Sequence, residues 1–194
     1  MKRPFLVVTS GLLLAAMGAT FAGGETSIDD RVQASRQTAK QFMGSLKGEL
    51  QAAMKAGGPV NALDVCHTKA MMITQQHADA KGWRVARTSL KTRNPANAPD
   101  AWERSVLEKF DARQKAGEAP QTLEHHEVVE QSGKKVFRWM KAIPTAEVCL
   151  KCHGGASVAP AVEAKLKQLY PTDQARGYAV GDIRGAFTIT QSID

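Results

Sequence analysis

The chain has 194 residues and a formal charge of +7, from 26 Lys and Arg against 19 Asp and Glu. No long basic run occurs, which excludes a nucleic-acid face built on clustered charge. The mild positive excess fits ordinary solubility, or attraction to an acidic partner or an anionic membrane face.

The opening Met1-Lys2-Arg3 is basic, Phe5 to Met17 is apolar, and Thr20-Phe21-Ala22 ends on a small residue. That pattern predicts a secretory signal peptide over residues 1–22, cut near Ala22. The apolar run falls short of the ~20 residues of a membrane span, so no stable membrane insertion is expected after cleavage. An uncleaved N-terminal anchor is the other reading. Removing 22 of 194 residues leaves 172, and the loss of Lys2 and Arg3 brings the charge to +5. That length suits a single domain over residues 23–194. No internal repeat or low-complexity linker divides it.

Ser27 is placed to cap a helix running to about Ala56. Ile28, Val32, Ala39, Phe42, Leu46 and Leu50 recur at helical spacing, and Gly57-Gly58-Pro59 stops it. A second helix is predicted from Asn61 to Lys81. Its stripe of Leu63, Cys66, Ala70, Ile73 and His77 turns Cys66 toward the core. Trp83 to Leu90 reads as a strand and Thr92 to Pro99 as a loop. Asp100 with Glu103 three residues on forms a capping box for a third helix carrying Trp102, Val106, Leu107 and Phe110.

Gln121–Gln131 and Lys134–Ile143 read as a hairpin turning at Ser132-Gly133, which Pro144 ends. A loop or short helical turn follows around Cys149. A small helix then spans Pro160 to Tyr170, and Ile183 to Ser192 is a last strand. Helices followed by interleaved strands and helices predict an α+β domain with an antiparallel sheet.

Cys149-Leu150-Lys151-Cys152-His153 is the C-x-x-C-H pattern of c-type haem attachment. Two thiols one helical turn apart suit addition across the two haem vinyl groups, and the adjacent His can bind iron. An export signal agrees, because attachment of this kind occurs outside the cytoplasm; the expected address is periplasmic. Gly154-Gly155 lets the backbone pass close to a flat macrocycle. Zinc binding would need two further ligands, and the other His are remote in sequence. A thiol–disulfide oxidoreductase would want a thioredoxin-like strand–motif–helix unit.

If both motif cysteines carry thioethers, Cys66 has no disulfide partner in the chain. It is then either a small buried hydrophobe or a thiolate ligand to the iron. His67, His77, His125, His126, Met71, Met72 and Met140 are rivals. His67 is turned by about 100° from Cys66 and His77 lies roughly 16 Å along the helix, while His125 and His126 alternate across a strand. A vacant sixth position is also open.

Arg84, Arg87, Lys91 and Arg93 cluster before the third helix. Arg suits bidentate carboxylate binding, so Arg87 and Arg93 are candidates for the haem propionates; a solvated charged loop is the other reading. Gly177, Gly181 and Gly185 are expected to serve turns and close packing.

Asp64-Val65-Cys66, Arg87-Thr88-Ser89, Arg93 to Asn97 before Trp102-Glu103, Cys149 to Gly154 and Tyr178 to Ala186 occur in one order along the chain. In this the sequence resembles the PAS-like haem c domains, found as soluble periplasmic cytochromes and as sensor ends of signalling proteins. The resemblance implies a PAS-like α+β fold with an antiparallel sheet flanked by long N-terminal helices. It implies one covalently bound haem c with His153 and Cys66 as axial ligands to the iron. Two axial side chains leave no open position, so electron transfer, or redox or small-gas sensing, is expected rather than catalysis. The partner would be a redox protein or a separate signalling protein. A haem enzyme with a displaceable distal ligand, peroxidase-like or gas-metabolising, is the alternative.

Overall fold

The computed structural model describes residues 26–193; the expected signal peptide lies outside them. The elements run α1 (Ile28–Asp79), β1 (Arg84–Thr88), a 3-10 turn (Pro95–Asn97), α2 (Ala101–Lys115), β2 (Glu124–Gln131), β3 (Lys134–Pro144), α3 (Glu147–His153), α4 (Pro160–Leu169) and β4 (Ile183–Ser192). The fold is α+β, with an antiparallel sheet ordered β1-β4-β3-β2 and a long N-terminal helix, as the sequence predicts.

Ser27 caps α1 by accepting from the Asp30 amide at 3.1 Å. The helix breaks at Gly57 and Gly58, whose backbone is non-helical, with Gly58 at φ +69°. The expected stop at Gly57-Gly58-Pro59 is thus a sharp bend between two helical arms. The arms run back alongside each other. Ser45 Oγ meets His77 Nε2 at 3.1 Å, and Lys69 pairs with Glu49 at 2.8 Å. Asn61 Nδ2 donates to the Ala53 carbonyl at 2.9 Å and so ties the bend.

The two faces of the sheet carry separate cores. On one face Phe137, Trp139, Phe187, Ile189 and Val85 pack on Val32, Ala39, Phe42 and Ile73 of α1. On the other, Met140, Ala142 and Ala186 pack on Val106, Leu107 and Phe110 of α2. Period-two alternation assigns each strand residue to its face. A third cluster joins Leu63 of α1 to Val162 and Leu166 of α4.

Asp100 and Glu103 form the expected capping box at the start of α2. The fully buried Glu103 also ties three strands together. It accepts from Arg84 of β1 at 2.7 Å, Arg138 of β3 at 3.2 Å and Thr188 of β4 at 2.9 Å. β2 is an outer strand whose Glu127 and Glu130 are exposed.

β4 contains one extra residue near its start. Ala142 faces Ala186 and Pro144 faces Ile183, so two steps along β3 match three along β4. This is a β-bulge. Gly185 sits in it at φ +151°, and a Cβ there would lie 2.5 Å from the Thr88 carbonyl oxygen. Glycine is the residue that allows β4 to approach β1 so closely.

Several boundaries shift from expectation. The first strand is shorter than Trp83–Leu90, because the Ser89 amide donates to the Asn97 carbonyl of the 3-10 turn at 3.2 Å rather than to β4. The hairpin begins at Glu124 instead of Gln121, since Thr122 closes a turn onto Ala119. The Cys149 region is a full helical segment, α3.

Candidate functional site

α3 carries the C-x-x-C-H motif. Cys149 and Cys152, three apart on a helix, share one side of it. Its end is fastened by the segment that follows α4. Gly154 N–H donates to Leu150 O, Gly177 N–H to Gly154 O, and Tyr178 N–H to His153 O, each at 3.0–3.1 Å.

His153 is held by two partners that fix its tautomer. Nδ1 lies 2.9 Å from the Ala175 carbonyl, which can only accept. Nε2 lies 3.3 Å from Nη1 of Arg93, which can only donate. The proton therefore sits on Nδ1 and the lone pair on Nε2. Burial, then the positive charges of Arg93 and Arg184, push the imidazole down to about 2. His153 is a neutral ring with an oriented Nε2 lone pair, the form in which His binds a metal.

Cys66 comes to this site from the second arm of α1. It lies within electrostatic reach of Arg87, Arg93 and Arg184, and of Cys152. Burial pushes its thiol up, and the three guanidiniums oppose that shift. Cys152 is likewise pushed up by burial, against Arg93. All three cysteines are free thiols. A disulfide-exchange site wants a strand–motif–helix setting; the all-antiparallel sheet, with the motif inside α3, runs against that alternative. Among the described residues no three His, Cys, Asp or Glu side chains converge in a way that would hold a metal ion without help from another group.

Of the rivals of Cys66, Met140, His77, His125 and His126 lie elsewhere, whereas His67 and Met71 stay beside the site, against Tyr170 and Asn94. Met140 is fully buried against α2, and His125 leans on Trp102 of α2, both across the sheet. His126 is exposed on the outer strand. His77 packs on Phe42 and pairs with Ser45. Met71 and Met72 are exposed. His67 is exposed with its ring edge-on to Tyr170, 5.1 Å between centroids.

The two candidate arginines behave differently. Arg93 is a brace. Its Nε donates to Asp173 at 3.0 Å, and its Nη2 donates to the carbonyls of Cys152 at 2.6 Å and Ala175 at 3.4 Å. Arg87 lies over the Phe42 ring at 5.8 Å, and its buried Nε has no hydrogen-bond partner among the described residues. The same is true of Arg184 Nε. Arg184 did not stand out in the sequence; its signal was a lone Arg beside a strand glycine.

The chain matches the family model Tll0287-like over residues 24–192. No curated protein matches it. Among solved structures, the crystal structure of the cyanobacterial haem protein Tll0287 is similar. The two chains are 23% identical with a TM-score of 0.65, covering 86% of this chain and 97% of that one. An identity this low speaks for the fold alone, whereas the family match takes in well over half of the chain, the C-x-x-C-H helix and Cys66 included. The chain therefore belongs to the Tll0287-like family.

Proposed function

We propose that this domain binds one haem c, joined by thioethers to Cys149 and Cys152, with His153 and Cys66 as the two axial ligands. The observation that carries the reading is the His153 imidazole, neutral and with its Nε2 lone pair directed, on the same helical turn as the two thiols. Cys66, carried into the same neighbourhood by a distant helical arm, supports the second ligand. Likeness to the haem protein Tll0287 supports the cofactor.

The residues fit the group. Covalent attachment would consume the two motif thiols, and Cys66 would remain as the one free thiol of the sequence. The Ala175 carbonyl holds the Nδ1 proton of His153 and so keeps Nε2 available. Arg93 braces the backbone of Cys152 and Ala175, fixing the His153 ring from both ends. Its contact with Nε2 is the one that iron would replace. The bound haem supplies a one-electron ferric–ferrous couple. Cys66, as a thiolate, favours the ferric side and lowers the potential.

With both axial positions taken by side chains, the domain serves electron transfer or redox or small-gas sensing, not catalysis. It passes electrons or a signal to a separate protein. Residues 1–22 direct the chain to the periplasm, where haem c is attached, and 23–194 form the working domain.

Co-expression with a haem-attachment system tests this. Haem is expected to stay with the denatured chain after acid–acetone extraction, and Cys66→Ala to lose the low-spin ferric spectrum of the parent. A colourless extracted chain sinks covalent attachment; an unchanged Cys66→Ala spectrum sinks thiolate ligation.

A further inference from the structure

Arg87 and Arg184 are both half-buried and lie close enough to repel each other. Each has a covered Nε with no hydrogen-bond partner among the described residues. Two cations held together and partly shielded from water favour an anion between them, because water screens their repulsion only in part. Burial and Arg184 together pull Arg87 down to about 10, and only Cys66 and Tyr170 act in the other direction. Neither residue supplies a carboxylate.

The pair is created by the bulge in β4. Arg87 faces α1, because its partner Phe187 lies in the α1-side core. In an unbroken β4, position 184 would share a face with Ala186 and Thr188, on the α2 side. The extra residue at Gly185 reverses the alternation and brings Arg184 to the Arg87 face. Ile183, one residue before it, joins the α2 cluster, as that reversal requires. A bulge that re-aims a cation beside another half-buried cation, with no carboxylate paired to either among the described residues, points to a ligand bearing two negative groups.

We propose that Arg87 and Arg184 form a two-pronged clamp for the paired carboxylates of the bound haem, with Arg184 taking the place expected for Arg93. The clamp rests on the haem reading. Both prongs lie within electrostatic reach of Cys66, and Arg184 also of His153, so one molecule can engage ligands and prongs together. Arg93 is already engaged by Asp173 and two carbonyls.

The test uses the full chain with Cys149→Ala and Cys152→Ala, so that porphyrin binds reversibly. It is titrated with hemin and with hemin dimethyl ester, which lacks the two carboxylates. The parent is expected to prefer hemin by about tenfold or more, the scale of charge-assisted hydrogen bonds. Arg87→Gln and Arg184→Gln should each weaken that preference, and together abolish it. Lys109→Gln, an exposed change on α2, should leave it intact and so exclude a net-charge effect.

Equal affinity for the two porphyrins in the parent overturns the clamp while leaving haem binding standing. So does a preference that survives both Arg substitutions or is lost in Lys109→Gln. Binding of neither porphyrin overturns the haem reading and the clamp with it. A second readout needs no haem. In the porphyrin-free chain Arg184→Gln should raise the thermal midpoint, since it relieves the repulsion between two neighbouring half-buried cations. A lowered midpoint would show that Arg184 already has a partner within the protein, and the clamp would fail.

Discussion

Arg93 illustrates how one side chain can order a site without being its chemistry. Its guanidinium reaches Asp173, two carbonyls and the His153 ring, and both members of the Arg93–Asp173 pair are largely covered, at 14% and 8% side-chain exposure. A carboxylate so covered depends on its partner, because water cannot replace it. Arg93→Met is expected to destabilise the chain by about 3 kcal/mol, the range for stranding one half of a buried pair. Urea unfolding of the haem-free chain measures this. A change below about 1 kcal/mol would place the pair among solvated surface bridges.

The same residue shows where the sequence stops being legible. The C-x-x-C-H run names its chemistry locally, and the helical stripe turned Cys66 inward from spacing alone. Nothing local distinguishes Arg93 from Arg87. Their difference lies in Asp173, eighty positions further on, which only the folded chain brings alongside.

At the level of elements, local signals translate well where one turn decides. Asp100 and Glu103 form their box because the two residues are three apart, and Gly57-Gly58 breaks α1 because Gly58, free of Cβ restraint, takes φ +69°. Arg184 is the counter-example. Strict alternation puts it on the wrong face, and the bulge that corrects this comes from unequal steps in two paired strands, a non-local property.

The start of α2 also has a pH signature. Burial raises the Asp100 carboxyl, but hydrogen bonds from Arg138 and the Glu103 amide outweigh it, and the net shift is downward. A carboxyl lowered on folding contributes its full stability above its unfolded value of ~3.9. That contribution is lost as pH falls through the lower, folded value. The stability gap between the parent and Asp100→Asn should therefore be constant from pH 5 to 7 and close progressively below about pH 4. Urea midpoints across that range measure it. Asp100 is partly open to solvent, 43% by side chain, so the gap should be modest.

Across the whole molecule, the sheet is a partition with different duties on its two sides. The α2 side is closed by Glu103 and an apolar layer. The α1 side gathers Cys66, Arg87, Arg184 and the motif helix. The joint between the second arm of α1 and α4 rests on Leu63, Val158, Val162 and Leu166. Leu166 is 2% exposed, so Leu166→Ala should cost about 3 kcal/mol. The denaturant midpoint should fall with an unchanged slope if the domain unfolds as one unit. A separate early transition would instead show that α4 melts independently of the sheet.

The outer strand β2 has one open row of amides and carbonyls, which is a template on which a second chain can add a strand. Its sequence Glu-His-His-Glu-Val-Val-Glu-Gln meets that hazard with carboxylates. Two copies aligned edge to edge would bring rows of like charge together, and the repulsion would open the pair before it could zip.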